Sequence, residues 1–424
     1  MTLTPLGYKP RLIDAHIERM LGAFGAVSIE GPKWCGKTWT AENHSNSEMK
    51  VADSTGPIRN RDIVLADIAK ALSGESPRLI DEWQEVPRIW DAVRTDVDSN
   101  PKKGRFILTG SSVPKRESYI HSGAGRIGTV KMDTMTLFET GDSDGKVTLK
   151  NILDGRMEMV RCGEASLNHL IDLTIRGGWP GSVGSDRDII GLVLKGYVDS
   201  ATDDACRLDG RVRQANKMRM LLRSLSRNES TLASDATVMK DMKRFDDENI
   251  AIETYYDYMD CLDRIHLINE VPSFRPNVRS DVRIGKTPKR HLADVSLAIA
   301  SLGLDREALM NDLNTFGFMF ESLCMHDLRI YSEHIGGKLF HYRDGRGREI
   351  DAVTELPDGR WGAFEIKLGM GQTDEAARRL LSLKDLFLKE GRPPSALCIV
   401  CGMTDYAYER PDGVFVVPIT SLGP

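Results

Sequence analysis

Apolar and polar positions alternate along the first part of the chain in a rhythm of short runs and longer amphipathic stretches. "AVSIE" (26–30), "RLIDEWQ" (78–84) and "RFILTGSS" (105–112) read as strands, with helical patterns between them. That rhythm predicts an α/β domain built on a parallel sheet. Two Gly-rich breaks follow, "TGDSDGK" (140–146) and "RGGWPGSVGSD" (176–186). From about 190 to 270 the strand signals fade. "YVDSATDDACRLDGRVRQANKMRMLLRSLSR" (197–227) and "IETYYDYMDCLDRIHLI" (252–268) read as helices. "VPSFRPNVRSDVRIGKTPKR" (271–290) is Pro-rich, basic and extended. Helices followed by a basic extended segment suggest a winged helix.

Past residue 312 the pattern changes again. "NTFGFMFESLCMHDLRIYSEH" (314–334) is helical, and "KLFHYRD", "EIDAVTEL" and "WGAFEIKL" are strand-like. "TDEAARRLLSLKDLFLKEG" carries Ala376, Leu380, Leu383 and Phe387 at helical spacing. "ALCIVCG" and "VFVVPIT" close the chain as strands. The expected division is 1–188, 189–308 and 309–424, with no internal repeat.

Composition narrows this picture. The 424 residues are 41% hydrophobic and 28% charged, ordinary for a soluble protein of two or three domains. A net charge of -5 excludes a uniformly basic nucleic-acid coat but admits a local basic face. No apolar run reaches the roughly eighteen residues of a membrane span, and the N-terminus lacks a secretory pattern. Seven scattered cysteines, an odd number, suit reduced thiols and a cytoplasmic location. Cys398 and Cys401 match C-x-x-C, but their apolar run favours core cysteines over a redox or zinc pair.

The chemistry begins at "GPKWCGKT" (31–38), which follows a strand and precedes a helix, the context a phosphate-binding loop requires. Gly31 and Gly36 let the backbone wrap phosphates, and the loop N–H groups supply positive potential. The nucleotide-binding set is therefore Gly31, Pro32, Lys33, Trp34, Cys35, Gly36, Lys37, Thr38 and Trp39. Lys37 reaches the β- and γ-phosphates of ATP, and Thr38 meets Mg²⁺. In "RLIDEWQ", Asp81 would hold the Mg²⁺ shell and Glu82 would polarise the attacking water. The strand "ILTGSS" offers Thr109, Ser111 and Ser112 as sensors of the γ-phosphate, with Ser111 preferred. Arg116 and Arg126 are candidates for neutralising transition-state charge, in the same chain or in a neighbouring copy of a homo-oligomer; the alternative is ordinary surface arginines.

Here the sequence resembles a family of bacterial and archaeal ATPases with an AAA-type N-terminal domain and a C-terminal region of unknown function. "GPKWCGKT", "LIDEWQEVP", "FILTGSS", "GAGRIG", "GGWPGSV", "GREIDAV" and "FEIK" carry the likeness, which covers nearly the whole chain. Trp34 departs from the pattern, being bulky where a smaller polar residue is expected. The resemblance implies an ATPase domain, a winged helix and a restriction-endonuclease-like domain, and no settled cellular role.

Two further sets of residues belong to that reading. Arg219, Arg223 and Arg227 recur every fourth residue on one helical face, and Arg275, Arg279, Arg283, Lys286, Lys289 and Arg290 fill the proposed wing. Such clusters could neutralise DNA phosphates; the alternative is a solvated or docking face. The C-terminal order of elements resembles PD-(D/E)xK nucleases, which makes Asp351 and Glu365 ligands of a nuclease Mg²⁺. Lys367 shares the strand face of Glu365, and Glu321 is a further acid. The alternative is a hairpin whose opposite charges pair across strands. Two functions follow: an ATP-driven enzyme acting on DNA, or a nucleotide-dependent switch that binds protein through an inactive nuclease-like fold.

Overall fold

Apolar residues of alternating direction build the N-terminal sheet. The computed structural model describes residues 2–114, 121–243, 250–275 and 287–424. Strands β1 (Ala26–Glu30), β2 (Ser47–Lys50), β3 (Arg78–Asp81), β4 (Phe106–Gly110) and β5 (Ile127–Lys131) lie in the order β2-β3-β4-β1-β5. Every neighbouring pair is parallel. Val27, Ile29, Leu79 and Ile107 face one core with Ile17 and Ala41. Ala26, Ile80, Phe106 and Leu108 face the other with Trp90 and Val93. Both faces are covered, as a parallel sheet requires. Strand β2 escaped the sequence pattern because "SEMK" is polar and lies at the sheet edge. A shared strand direction brings the loops after β1, β3 and β4 to one end of the sheet.

Strands β6 (Val147–Thr148) and β7 (Val160–Arg161) leave this sheet altogether. They pair with strands from the far end of the chain, described below.

Helices Ala215–Arg227, Asp235–Lys243 and Ile252–Arg264 then lead into an antiparallel ribbon of β8 (Ile268–Val271) and β9 (Lys289–Leu292). This is the order of a winged helix. The helix expected over 197–227 is broken. Helix Arg187–Arg207 ends in a turn with Asp209 at φ 61, and the next helix starts at Ala215. Arg213 fixes the break: its guanidinium grips Asp257 (2.6 and 2.9 Å) and its N–H donates to the Cys206 carbonyl (3.0 Å).

The C-terminal sheet contains β10 (Lys338–Arg343), β11 (Glu349–Glu355), β12 (Trp361–Gly369), β13 (Ala396–Met403), β14 (Tyr406–Glu409) and β15 (Phe415–Pro418). Its order is β10-β11-β12-β13-β15-β14-β7, and β16 (Leu422–Gly423) pairs with β6. Helix Leu313–His334 packs on β10, β11 and β12, and helix Thr373–Lys389 packs on β12 and β13. The expected series of helix, three strands, helix and strand is present. Cys398 and Cys401 face different cores across β13, so they do not form a dithiol pair.

Candidate nucleotide site and C-terminal acidic centre

The loop after β1 is shaped by backbone that only small or special residues tolerate. A Cβ on Gly31 would meet the Met132 carbonyl oxygen at 2.1 Å, and Gly36 sits at φ 102. Lys37 is buried, and its Nζ donates to the carbonyls of Gly31 (3.0 Å) and Pro32 (2.8 Å). Thr38 Oγ1 donates to Asp81 Oδ1 at 2.9 Å, and Thr109 Oγ1 donates to the same oxygen at 2.5 Å. Burial pushes the Asp81 carboxyl up, while the Thr109 and Thr38 hydroxyls oppose that shift. Thr38 and Asp81 are thus adjacent, as holding one cation between them would require.

β4 lies between β1 and β3, so its end falls between the loop and the acidic pair. Ser111 Oγ donates to Glu82 Oε2 at 3.0 Å, and Gln84 Nε2 donates to that oxygen too. Glu82 adopts φ 57, a left-handed backbone unusual for a non-glycine residue and common at functional sites. A cleft of about 890 Å³ opens beside Glu82, Gln84 and Ser111; its far wall is Tyr197, Asp204 and Arg207 of helix Arg187–Arg207.

Trp34 explains its own departure from the pattern. It stacks on Trp179 (5.9 Å) and Tyr197 (6.3 Å), and a Cβ on Gly181 would collide with its ring at 2.6 Å. Lys33 adds an ion pair with Asp204 at 2.8 Å. Trp39 is half exposed on the outer face of its helix. The loop is therefore fastened to the helical region. Arg11 fastens it from behind: its guanidinium donates to the carbonyls of Cys35 (2.9 Å) and Asp133 (2.8 Å) and to Glu139 (3.0 Å). No local pattern marks Arg11 or Tyr197, since their roles depend on partners far away in sequence.

Arg126 does not join this site. Ile127 pairs with Ala26, at the start of β1, whereas the loop follows Glu30. A strand of that length spans roughly 13 Å. Arg126 lies at the opposite end of the sheet, paired with Asp98 at 2.7 Å. Arg116 falls outside the described residues, as do Arg279, Arg283 and Lys286 of the expected wing.

The remaining cations divide. Arg219, Arg223 and Arg227 are exposed on one face of their helix, opposite buried Met218, Leu221, Leu222 and Leu225. Arg219 lies near Asp199 (3.5 Å) and Asp203 (3.7 Å), and Arg227 near Asp241 (3.6 Å). Arg290 pairs with Asp235 (2.6 Å) and Glu270 (3.1 Å). Lys289 is buried and bonded to Glu321. As a strand residue pointing inward, Lys289 offers no phosphate contact, so its place in a DNA-facing wing is corrected.

In the C-terminal sheet, Lys367 Nζ lies 2.7 Å from Glu365 and 3.0 Å from Asp351. Asp351 also accepts from the Ile366 N–H at 2.8 Å. Burial opposes the Asp351 charge, but Lys367 and Lys289 outweigh it and hold that carboxyl below the usual range. Burial and repulsion from Asp351 push Glu365 up from 4.5 to about 7. Glu321, buried and likewise repelled by Asp351, also stands at about 7. A cleft of about 520 Å³ reaches Asp351 and Glu365 past Arg348, Arg378 and Arg379. Asp351, Glu365 and Lys367 are together, and Glu321 is tied to Lys289. Among the described residues, however, no three or more His, Cys, Asp or Glu side chains are arranged to hold a metal ion. The centre as built is an ion-paired cluster, and the expected metal ligation by Asp351 and Glu365 does not fit it.

The raised Glu365 gives a pH prediction. From 4.5 to about 7 the folded chain retains a proton that the unfolded chain has lost, so stability falls as pH rises through that window. Glu365→Gln should flatten the slope of stability against pH there, by about 1–3 kcal/mol across the window. Denaturant midpoints measured from pH 4.5 to 7.5 check this; identical slopes for wild type and variant would refute it.

Comparison with known proteins places these regions. A family model described as an AAA domain matches residues 23–141. Domain of unknown function (DUF8612) matches 167–308, and Domain of unknown function (DUF4143) matches 316–422. Uncharacterized proteins of Mycobacterium tuberculosis and Mycobacterium bovis are each 25% identical over 358 residues, covering 83% of this chain and 72% of the relative. The Walker-type ATPase of Pyrococcus abyssi aligns with a TM-score of 0.45 at 12% identity, over 71% of this chain and 97% of that one. The Aeropyrum pernix ORC1 protein, solved in complex with DNA, aligns with a TM-score of 0.23 at 14% identity, over 73% of this chain and 96% of that one. No helix among the described residues is long and apolar enough to cross a membrane.

Proposed function

We propose that this chain, an AAA domain followed by two domains of unknown function, hydrolyses ATP and passes its nucleotide state to a DNA-facing helical region and the C-terminal sheet. The carrying observation is Asp81, held by Thr38 and Thr109 beside the Gly31–Thr38 loop. Thr38 and Asp81 would hold the Mg²⁺ that accompanies ATP, and that ion would neutralise phosphate charge. Lys37 would turn from its loop carbonyls to the phosphates. Glu82, oriented by Ser111 and Gln84, would take a proton from the attacking water. Arg207, on the cleft wall, would sense the bound nucleotide in the same chain. Arg126 would reach a nucleotide only in a neighbouring copy, which makes any role for it a test of oligomerisation.

The exposed stripe of Arg219, Arg223 and Arg227 supports DNA contact through phosphates. ATP hydrolysis measured without DNA and with duplex, single-stranded and four-way-junction DNA tests this reading. Lys37→Ala should abolish turnover. At least one DNA should stimulate wild-type turnover several-fold, and changing Arg219, Arg223 and Arg227 together to Glu should remove the stimulation. Equal rates with every DNA count against DNA as the partner.

A second reading, a nucleotide-dependent switch that docks protein on an inactive nuclease-like fold, is favoured by the ion-paired centre. It predicts no Mg²⁺-dependent cleavage of any DNA, and cleavage lost in Asp351→Ala would refute it.

A further inference from the structure

The chain that leaves β4 through Ser111 is caught two residues later by the helical region. Val113 gives its N–H to the Arg264 carbonyl (2.9 Å), and its own carbonyl accepts from Arg264 Nε (2.8 Å). The far end of the same guanidinium grips Asp209: Nη1 donates to Oδ2 (2.7 Å) and Nη2 to Oδ1 (2.8 Å). One planar group thus bonds two segments at once, with its side chain only 10% exposed. A guanidinium can do this because its donors point in fixed, diverging directions.

Both segments bear on the nucleotide site. Asp209 lies in the turn at Leu208–Gly210, between helix Arg187–Arg207 and helix Ala215–Arg227. The first helix carries Arg207 at the cleft, and the second carries the exposed Arg219, Arg223 and Arg227. Helix Ile252–Arg264 braces the turn at two places: its Asp257 holds Arg213 (2.6 and 2.9 Å), and its Arg264 holds Asp209. On the other side, Val113 follows Ser111, whose hydroxyl donates to Glu82 (3.0 Å). Only the short stretch of main chain from Val113 back to Ser111 separates the Asp209–Arg264 fork from Glu82.

We infer that Arg264 is a positioning residue for the proposed ATP hydrolysis: it sets Ser111, and through it Glu82, according to the placement of the turn at Asp209. The helical region thereby regulates turnover through this contact. This rests on the ATPase reading.

The test measures ATP turnover and calorimetric ATP affinity in the full chain, for wild type, Arg264→Lys, Ser111→Ala and the double variant. Lysine keeps the charge beside Asp209, but an ammonium on a flexible stem cannot hold Asp209 and Val113 in one fixed plane. Arg264→Lys should lower kcat about tenfold and leave ATP affinity within about threefold. In the Ser111→Ala background the same substitution should cost less than about twofold, because residues that act through one another are not additive. If the lysine variant does not fold, Asp209→Asn carries the same expectations, since asparagine tolerates the left-handed backbone there and removes the charge that fixes the fork. Turnover that requires Lys37 but is unchanged by Arg264→Lys, or is lowered as much without Ser111 as with it, overturns the role of Arg264 and leaves the ATPase reading standing. So does an equal loss of affinity and turnover. Absence of Lys37-dependent turnover in wild type overturns both.

Discussion

Replacing Glu82 by glutamine is expected to lower ATP turnover about a thousandfold while leaving ATP affinity within about threefold. The two halves of that expectation have separate structural origins. Glutamine keeps the size of the side chain, and its carbonyl can still accept from Ser111, which donates to Glu82 at 3.0 Å. It cannot accept a proton from water as a carboxylate does. In that reading phosphate contacts would fall to the Gly31–Thr38 loop, which Arg11 and the Trp34 stack hold without help from Glu82. Phosphate-release kinetics and calorimetric ATP binding measure both halves. A fall of less than tenfold would mean that another group, with Gln84 the nearest, orients the water. A parallel loss of affinity would mean that Glu82 shapes the loop.

The second large effect concerns the joint between the N-terminal sheet and helix Leu313–His334. Asp133, just after β5, is 5% exposed, and Arg329 of helix Leu313–His334 pairs with it at 2.8 Å. Burial opposes its charge, but the Arg329 guanidinium prevails and holds the carboxyl well below 3.8. Arg329→Met should therefore destabilise the protein by about 3–5 kcal/mol, since it strands a buried carboxylate. Asp133→Asn in the same molecule should restore most of the loss. The sign with pH follows from the depressed value. The Asp133 contribution is present above 3.8 and is lost as pH falls below it towards the folded value. Wild type should thus lose more stability on acidification than the methionine variant. Equal denaturant midpoints for wild type and Arg329→Met would show that the pair contributes nothing.

The strand, loop and helix around Gly31–Thr38 and the acidic end of β3 were legible because their geometry is encoded in a few adjacent residues. Strand β1, a tight glycine turn and a helix follow one another, so spacing alone conveys the shape. The element order around Asp351 and Glu365 was legible for the same local reason. Residues whose meaning depends on a distant partner were not. Lys289 read as a wing cation because nothing nearby shows that β9 turns it towards Glu321. Arg126 read as a catalytic arginine because sequence closeness to β5 does not say which end of the sheet it occupies. The break at Leu208–Gly210 was hidden because Arg213 makes it with Asp257, 44 residues further on. Trp34, noticed only as an oddity, became intelligible once Trp179 and Tyr197 were seen against it.

The pairing of β6 with β16 and of β7 with β14 bears on how the molecule is made. Residues 147–161 leave the ribosome well before their strand partners, which lie in residues 406–423. Until then, β6 and β7 have backbone donors and acceptors with no native strand to meet. Contacts separated by so much sequence close slowly and leave edges open to wrong pairing. The N-terminal parallel sheet, complete by residue 131, can form during synthesis. The C-terminal sheet and the β6–β16 pair can be finished only once residues 406–423 have been made, so closing them joins two distant parts of the chain late in folding.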